Sequence, residues 1–202
     1  MGQLVEDLLL LARLDAGRPL VREEVDLSRL AVEAITDARV AGPDHRWRLE
    51  LPAEPVTTTG DPLRLTQVLS NLLANARLHT PAGTTVTVAL ADQDGSAQLR
   101  VSDDGPGFPP DLRDTAFERF SRGDGARTRT GSGTGLGLAI VAAVVEAHDA
   151  SLHLRSRPGA TVISVQFPVT GPRVMPPDTS EVSSAGPRSG SDRPRADRTG
   201  IN

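Results

Sequence analysis

Four polar side chains recur at every fourth position within residues 61–81. They are Gln67, Asn71, Asn75 and His79, and on a helix this spacing places them along one face. The rest of the segment is rich in leucine, valine and alanine, so the polar stripe runs beside a broad apolar face. Because a buried amide without a hydrogen-bond partner costs free energy, we expect the stripe to face either water or a bound polar ligand.

A second candidate group is the carboxylate of Asp103, which begins the sequence DDGPGF at 103–108. It follows a predicted strand directly and enters a Gly-Pro-Gly turn, which would hold the acid rigidly at the end of a sheet. Gly105 and Gly107 would let a flat group approach the backbone. A carboxylate in this place can accept a hydrogen bond from an exocyclic amine, although the same sequence is also typical of an ordinary turn.

A third candidate is the glycine-rich sequence GSGTGLGL at 131–138, which leads into a helix predicted from Leu136. Glycines before a helix N-terminus expose backbone N–H groups that can bind phosphate oxygens. The pattern differs from the dinucleotide-binding fingerprint, because Leu136 stands where a third glycine would follow Gly133. Taken alone, such a turn is more often a flexible linker.

The elements that position these groups are indicated by caps and by alternation. Asp61 can cap a helix, Pro62 suits its first position and Pro81 prevents its continuation, so residues 61–81 predict one helix. Residues 84–91 and 97–102 predict an antiparallel hairpin. Further helices are predicted over 2–16, 27–40 and 136–148, further strands over 25–27, 47–51, 55–59, 151–155 and 161–169, and a loop over 108–131. The result is a mixed α/β chain with an antiparallel-rich sheet and helices on one side.

Composition excludes several classes of function. The net charge of −4 gives no overall basic field, which argues against nucleic-acid binding. The absence of cysteine excludes disulfides, thiol catalysis and cysteine-bound zinc. All 22 basic residues are arginine, so the lysine of a Walker-type phosphate loop is missing. The longest apolar run, 138–145, is too short for a membrane span, and no signal peptide is predicted at the N-terminus.

Together the motifs resemble those of sensor histidine kinases over roughly residues 1–170. NLLANA with Asn71 and Asn75, then Asp103 with its two glycines, AFERF at 116–120 and GTGLGLAI at 133–140 stand in the order and spacing of the N, G1, F and G2 boxes. The first sixteen residues resemble the end of the second dimerisation helix of such kinases. The resemblance implies an α+β fold of the Bergerat ATP-binding type, a two-layer α/β sandwich with a mixed, mostly antiparallel sheet.

The resemblance also implies an ATP site and its residues. Asp103 would bind the adenine amino group, Asn75 would hold Mg²⁺, and Asn71 would bind phosphate or metal-bound water. The other residues implied at the site lie in the glycine motifs, in the F box and after the N box: Gly105, Gly107, Phe117, Arg119, Phe120, Arg122, Gly133, Gly135, Leu136, Gly137 and His79.

Two pairs in the F box receive specific roles from the resemblance. Phe117 and Phe120 would anchor a lid to the domain. Arg119 and Arg122 match basic positions around this box, where a guanidinium would either neutralise phosphate charge or stay solvated.

The chain departs from the family pattern after the N box and near the end of the G2 helix. Leu78 and His79 replace a basic and an aromatic residue, so we expect no phosphate contact at position 78 and leave such a contact open for Arg77 and His79. The sequence HDA at 148–150 replaces an HGG motif, and we interpret it as a harmless turn variant.

The phosphoacceptor segment of the family is missing. No histidine precedes His45, so the resemblance implies no catalytic residue within this chain. We interpret His45 and His153 as surface residues of a loop and a strand, and His148 as a residue at a helix C-terminus.

The main hypothesis is a histidine kinase ATP-binding domain that transfers the γ-phosphate of ATP to a histidine outside the chain, in two-component signalling. One alternative is an ATP-hydrolysing switch, but Asn71 stands where such relatives carry a water-orienting glutamate, and a carboxamide is no general base. Another alternative is a nucleotide-binding interaction module, either an anti-sigma-type serine kinase or a degenerate fragment. The leading helix favours the sensor-kinase branch.

We expect three segments. Residues 1–18 would end a dimerisation helix, residues 23–170 would form the catalytic domain, and residues 171–202, rich in Pro, Ser, Gly and Arg, would be a disordered tail. The implied partners are ATP with Mg²⁺, a histidine-bearing dimerisation domain, a response regulator, and a second copy in a homodimer. We expect a cytoplasmic domain, and a methionine inside a bundle helix suggests a longer parent kinase for which a membrane anchor is one option.

Overall fold

The chain is composed of short strands and helices in a computed structural model that describes residues 2–16, 20–93, 95–120 and 135–168. The helices in these ranges are α1 (Gly2–Asp15), α2 (Leu27–Ala41), α3 (Pro62–His79), α4 (Pro110–Arg113) and α5 (Gly137–Ala147). The strands are β1 (Glu23–Asp26), β2 (Arg46–Glu50), β3 (Thr57–Gly60), β4 (Thr85–Gln93), β5 (Ser96–Asp103), β6 (Ser151–Arg157) and β7 (Ala160–Gln166).

Local capping determines where the site helix begins and ends. The side chain of Asp61 accepts a hydrogen bond from the backbone N–H of Arg64 at 3.2 Å, and Pro62 occupies the first turn of α3. At the other end, Thr80 takes an extended conformation and donates its N–H to Ala76 O at 3.1 Å. The predicted helix over 61–81 is therefore confirmed, with its proposed N-cap.

The strands form a five-stranded sheet in the order β2-β4-β5-β7-β6, with a separate two-stranded pair of β1 and β3. β2 and β4 run parallel, and every other neighbouring pair is antiparallel. Along β4, Val86, Val88 and Leu90 are buried and the residues between them are not, so one face of the sheet is covered and the other is open. The predicted mixed, mostly antiparallel sheet is confirmed.

The helices cover one face of this sheet, which gives the predicted two-layer arrangement. α2 contacts β2 and β4, α3 contacts β5, and α5 contacts β6. α3 packs between α2 and α5, and its buried face consists of apolar side chains: Leu65, Val68, Leu69, Leu72, Leu73 and Ala76. The core is aliphatic, in agreement with an aromatic content of only 2%.

The leading helix forms as predicted and packs against α5. Leu10 and Leu11 are buried, whereas Leu4, Val5 and Leu9 are exposed. Its assignment as the end of a dimerisation helix stays a prediction. No helix in the described part of the chain is both long and apolar enough to span a membrane.

One predicted loop differs from the structure, and two segments of the chain lie outside the described residues. The segment predicted as a loop over 108–131 contains the short helix α4, because Pro109 and Pro110 favour a helical first turn that the loop interpretation did not consider. Residues 121–134 and 169–202, including the predicted disordered tail, lie outside the described residues.

Candidate functional site

The start of α5 lies against the polar stripe of α3. A Cβ at Gly137 would lie 3.8 Å from Cγ and Oδ1 of Asn71, so the carboxamide faces the first turn of α5. This helix has no side-chain cap and no acidic residue in its first turn. As in any α-helix, the first backbone N–H groups have no intrahelical acceptor, and here no side chain of the N-cap residue replaces it. Such a helix start can bind an anion.

Asn71 carries a buried donor without a partner in the described structure. Its Nδ2 has no hydrogen-bond acceptor, and a buried N–H of this kind costs roughly 1–3 kcal/mol. A phosphate oxygen between Asn71 and the start of α5 would accept from it.

Asn75 lies one helical turn further along the same face and is half-buried. No three His, Cys, Asp or Glu side chains of the described residues gather as a metal site. Mg²⁺ prefers oxygen ligands and usually binds to one or two protein groups together with phosphates and water. The carboxamide oxygen of Asn75 could serve as the protein ligand of such a site.

Asp103 ends β5 on the face covered by the helices, in phase with the buried Leu99 and Val101. Its Oδ1 accepts a hydrogen bond from Gly105 N at 2.9 Å. Burial raises the pKa of this carboxyl above its ordinary value, hydrogen bonds from Gly105 and Thr161 lower it, and the charge of Asp104 raises it. An acceptor desolvated in this way at a sheet end suits recognition of an amine.

The loop after Asp103 has room for glycine only. A Cβ at Gly105 would lie 2.7 Å from both Asp103 Oδ1 and Thr80 Cγ2. Gly107 has φ +80, and its Cβ would lie 2.8 Å from the carbonyl oxygen of Arg157. The loop therefore packs directly against the C-cap of α3, which brings the end of the amide stripe to Asp103.

The hairpin between β6 and β7 holds this loop in place. Gly159 donates its N–H to Gly105 O at 2.8 Å, and Phe108 donates its N–H to Ser156 Oγ at 2.8 Å. The sequence interpretation assigned no role to this hairpin, although a Pro-Gly turn after two glycine-rich motifs is the signal that could have indicated one.

His148 joins the two helices of the site. The buried ring bonds Val144 O through Nδ1 at 2.7 Å and accepts from Asp61 N through Nε2 at 3.0 Å. The interpretation as a helix C-terminal residue is confirmed, since His148 is the C-cap of α5. The bond to the N-cap of α3 was missed, and the signal was Gly60, where a Cβ would lie 2.7 Å from the ring.

The interpretation of His45 as a surface residue is wrong. Its ring is partly buried beside Trp47, with centroids 5.7 Å apart, and Nε2 lies 3.0 Å from Thr80 Oγ1. The apolar ring of Trp47 covers it because the turn before β2 folds over the end of α3. His153 is exposed on β6, as expected.

The two phenylalanines of the F box differ in burial. Phe117 packs against the core. Phe120 is 59% exposed with φ 62°, and its N–H bonds Gly135 O at 3.1 Å. Their role as lid anchors stays a prediction. The exposed Arg119 lies beside Phe120, and Leu136 is fully buried. Arg122 and Gly133 lie outside the described residues.

The side chains after the N box separate to different faces of α3. A Cβ at Gly42 would lie 2.7 Å from Arg77 Cδ, and Arg77 lines a cleft with Trp47 and α2. This is the side of α3 that faces α2, whereas Asn71 meets α5. A phosphate contact of Arg77 stays an open prediction. His79 is exposed at the end of the amide stripe.

Comparison with known proteins identifies a family and individual proteins to which this chain is similar. Residues 60–171 match the family described as histidine kinase-, DNA gyrase B-, and HSP90-like ATPase. The probable sensor histidine kinase TcrY of Mycobacterium tuberculosis is 57% identical over 169 residues, which cover 84% of this chain and 36% of TcrY. The chain spans about a third of the length of the curated relatives it matches.

Solved structures of similar proteins share the fold. The mycobacterial sensor histidine kinase MprB is 34% identical with a TM-score of 0.64, over 72% of this chain and 97% of the MprB chain. Full-length ShkA, solved in complex with AMPPNP, is 30% identical with a TM-score of 0.69, over 82% of this chain and 35% of ShkA.

Proposed function

Because the chain belongs to the histidine kinase-, DNA gyrase B- and HSP90-like ATPase family, and within it to the catalytic domains of sensor histidine kinases, we propose that it binds Mg·ATP and transfers the γ-phosphate to a histidine outside this chain. The observation that supports the site most directly is the unpartnered Nδ2 of Asn71, which is buried against the uncapped start of α5. A phosphate group would satisfy both sets of donors.

The adenine end of the nucleotide would lie at Asp103. Its half-buried carboxylate can accept a hydrogen bond from an amine N–H. Gly105 and Gly107 let the loop pack closely against Thr80 and Arg157, which holds Asp103 in place. Since Gly105 also contacts Thr80, the end of α3 closes this side of the site. A preformed acceptor in a desolvated place selects adenine over a base that presents a carbonyl there.

The phosphate end would lie between Asn71, Asn75 and the first turn of α5. Asn71 donates to a phosphate oxygen through Nδ2, and the backbone N–H groups of α5 add donors at the positive end of a helix. Mg²⁺ bound through Asn75 would supply charge neutralisation on the bridging oxygens. The chain's own residues act by positioning and by electrostatics.

The residue type at position 71 favours transfer over hydrolysis. The position one turn before Asn75 is Asn71, whose carboxamide cannot take a proton from water. Enzymes that move a phosphoryl group depend mainly on holding the acceptor in line, so an acceptor histidine on another domain completes the reaction.

The partners follow from the same proposal. The exposed apolar residues of α1, Leu4, Val5, Leu8 and Leu9, would pack in a dimerisation bundle that carries the acceptor histidine. A response regulator would receive the phosphate from that histidine. We place the domain on the cytoplasmic side, with ATP as its substrate.

Nucleotide affinity of site variants tests the binding part of the proposal. By titration calorimetry with Mg·ATP, Asp103→Ala and Asn75→Ala should each bind at least about tenfold more weakly, since a hydrogen bond to a charged group contributes roughly 1.5–3 kcal/mol. Gln67→Ala is the matched control, because Gln67 lies on the same stripe but bonds Arg64 at 3.2 Å. Unchanged affinity in both site variants would remove the assignment.

Radiolabel from [γ-³²P]ATP tests the transfer part. We expect no label on this chain alone, and label on a separate histidine-bearing dimerisation fragment when the two are mixed. Label on the isolated chain would contradict an acceptor outside it. Rapid release of inorganic phosphate without any acceptor would favour the ATPase alternative.

A further inference from the structure

The face of the five-stranded sheet that the helices leave open carries arginines at both of its edges. Side chains that alternate with the buried positions point to this face. Its outer strands, β2 and β6, contribute Arg46, Arg48, Arg155 and Arg157, all exposed. Its inner strands, β4, β5 and β7, contribute mostly small side chains.

Strand register aligns these residues in rows across the sheet. Arg48 lies opposite Thr87, Thr87 opposite Ser102, Ser102 opposite Val162, and Val162 opposite Arg155. The neighbouring row begins at Arg46 and Thr85 and ends at Ala160 and Arg157. Each row therefore has an arginine at both ends. Short side chains fill the first row, and the carboxylate of Asp104 lies in the middle of the second.

This arrangement forms a shallow trough with two basic rims. Since neighbouring strands lie about 4.8 Å apart, the backbones of β2 and β6 are separated by roughly 19 Å. A cleft of about 590 Å³ occupies part of the floor, and its lining includes Thr85, Thr87, Ser102, Ala160 and Val162. We refer to the face bounded by β2 and β6 as the arginine trough.

The charge of the arginine trough is opposite to that of the whole chain. Arg100 lies on the floor, so arginines outnumber the carboxylates of this face, Glu50 and Asp104. The carboxylate of Asp104 accepts from Thr85 N at 2.7 Å, which lowers its pKa, and Arg46 lowers it further. The chain as a whole has a net charge of −4, so the positive charge is segregated here.

Three of the four rim guanidinium groups have no carboxylate beside them in the described structure, whereas the charge of Arg46 acts on Asp104. No described carboxylate lies within 4.0 Å of the guanidinium of Arg48, Arg155 or Arg157. The salt bridges Arg22–Asp149 and Arg29–Glu33 lie elsewhere. Arg48, Arg155 and Arg157 are exposed, so they present cationic groups to solvent.

We propose that the arginine trough is a docking surface for a helix of a partner protein that carries carboxylates along both of its flanks. An α-helix with its side chains is about 10–12 Å wide, so it fits between rims roughly 19 Å apart. Its flanking Asp and Glu residues meet the arginines of the two rims, and its lower face meets the floor, where Arg100 lies among short hydroxyl and methyl side chains. Guanidinium groups bind carboxylates bidentately, which fixes the orientation of the helix.

Two other anionic partners fit less well. A lipid surface is flat and would touch the rims while leaving the cleft between them uncovered, and this face has no exposed aromatic residue to enter a bilayer. A nucleic acid would bring phosphates past Glu50 and Asp104, which repel them, and the face offers no aromatic ring for stacking.

Fluorescence anisotropy with three labelled peptides tests the inference. The probe is an alanine-rich helix of about 20 residues with glutamates on both flanks. One comparison peptide has the same glutamates gathered on one flank, and another has glutamine in their place. At low ionic strength we expect the two-flank peptide to bind at least about fivefold more tightly than the one-flank peptide, and the glutamine peptide not to bind, because exposed charge pairs are individually weak but add along two rims.

Protein variants identify the surface. Arg48→Ser/Arg155→Ser removes one arginine from each rim and should weaken the two-flank peptide by about tenfold or more. Arg13→Ser/Arg29→Ser removes the same charge from α1 and α2, on the opposite side of the sheet, and should leave the affinity within about twofold. Unchanged Mg·ATP affinity in both double variants shows that they are folded.

Several outcomes would overturn the inference. Equal weakening by both double variants would show that only net charge matters, and equal binding of the one-flank peptide would exclude the two-rim geometry. Tighter binding to phosphatidylglycerol vesicles or to a 20-base-pair DNA duplex, lost in the Arg48/Arg155 variant, would assign the face to a membrane or to nucleic acid instead. Absence of binding by every probe would leave the trough without a partner of this chemistry.

Discussion

Replacing His148 with alanine tests whether this side chain holds the two helices of the site together. The backbone N–H of Asp61 loses its acceptor, which costs roughly 1–3 kcal/mol for a donor left unpaired. Val144 O keeps a bond from the backbone N–H of His148 at 3.2 Å, so loss of the ring bond to it costs only about 0.5–1.5 kcal/mol. The ring is 2% exposed and lies edge-on to Phe167, so its removal also leaves a cavity. Together we expect a loss of about 3–5 kcal/mol in the free energy of unfolding.

Urea unfolding followed by circular dichroism measures this loss. With a slope of about 1–3 kcal/mol per molar urea, the midpoint should fall by roughly 2 M. His153→Ala is the matched control, because His153 is exposed on β6, and it should change the free energy of unfolding by less than about 0.5 kcal/mol. His148→Gln, which keeps a donor and an acceptor, should fall between the two. Equal midpoints for the alanine variants at 148 and 153 would refute the proposed link between α3 and α5.

Three further predictions concern the loop after β5 and the turn after α5. Burial raises the pKa of Asp103, so its favourable contribution to folding is present below the ordinary pKa and is lost as pH rises through the folded value. Asp103→Asn should therefore be at least as stable as the wild type at pH 7, and this difference in stability should shrink toward about pH 4. The same variant should bind Mg·ATP more weakly. Lower stability of the variant at pH 7 in thermal melts would contradict the prediction. Gly105→Ala places a methyl 2.7 Å from Thr80 Cγ2 and should cost about 1–3 kcal/mol in urea unfolding, whereas a variant as stable as the wild type would show that the loop relaxes freely. Asp149 has φ 56°, so Asp149→Val should lower the free energy of unfolding by about 1–2 kcal/mol. Asp149→Gly should stay within about 0.5 kcal/mol of the wild type, because the ion pair of Asp149 with Arg22 is exposed. Equal melting temperatures for the two variants would rule out backbone strain as the cause.

Local sequence signals predicted most helices and strands of this fold, but they did not predict which strands distant in sequence pair with one another. Asp61 and Pro62 mark the start of α3 through hydrogen bonds within one turn, so the sequence contains the whole cause of that boundary. The parallel pairing of β2 with β4 joins strands on either side of α3, and it depends on how the helix layer packs. No residue of either strand signals it.

The candidate site shows the same division. The motifs around Asn71 and Asp103 indicate what each group could bind, because the types and spacing of their residues are local. The contact between Gly105 and Thr80 and the buried position of His45 arise from segments distant in sequence. Phe120 has a positive φ of 62°, which side-chain type alone does not predict for phenylalanine.

The unpartnered Nδ2 of Asn71 has a consequence for how abundant the folded protein is in a cell. A chain whose binding site leaves a buried donor unsatisfied is less stable when empty than when filled, and the difference grows with the concentration of free ligand. By mass action, a ligand at a thousand times its dissociation constant adds about 4 kcal/mol to the free energy of unfolding. If that ligand is a nucleotide, depletion of the nucleotide pool would raise the unfolded fraction and expose the chain to proteases, so that the energy status of the cell would set the lifetime of the protein as well as its activity.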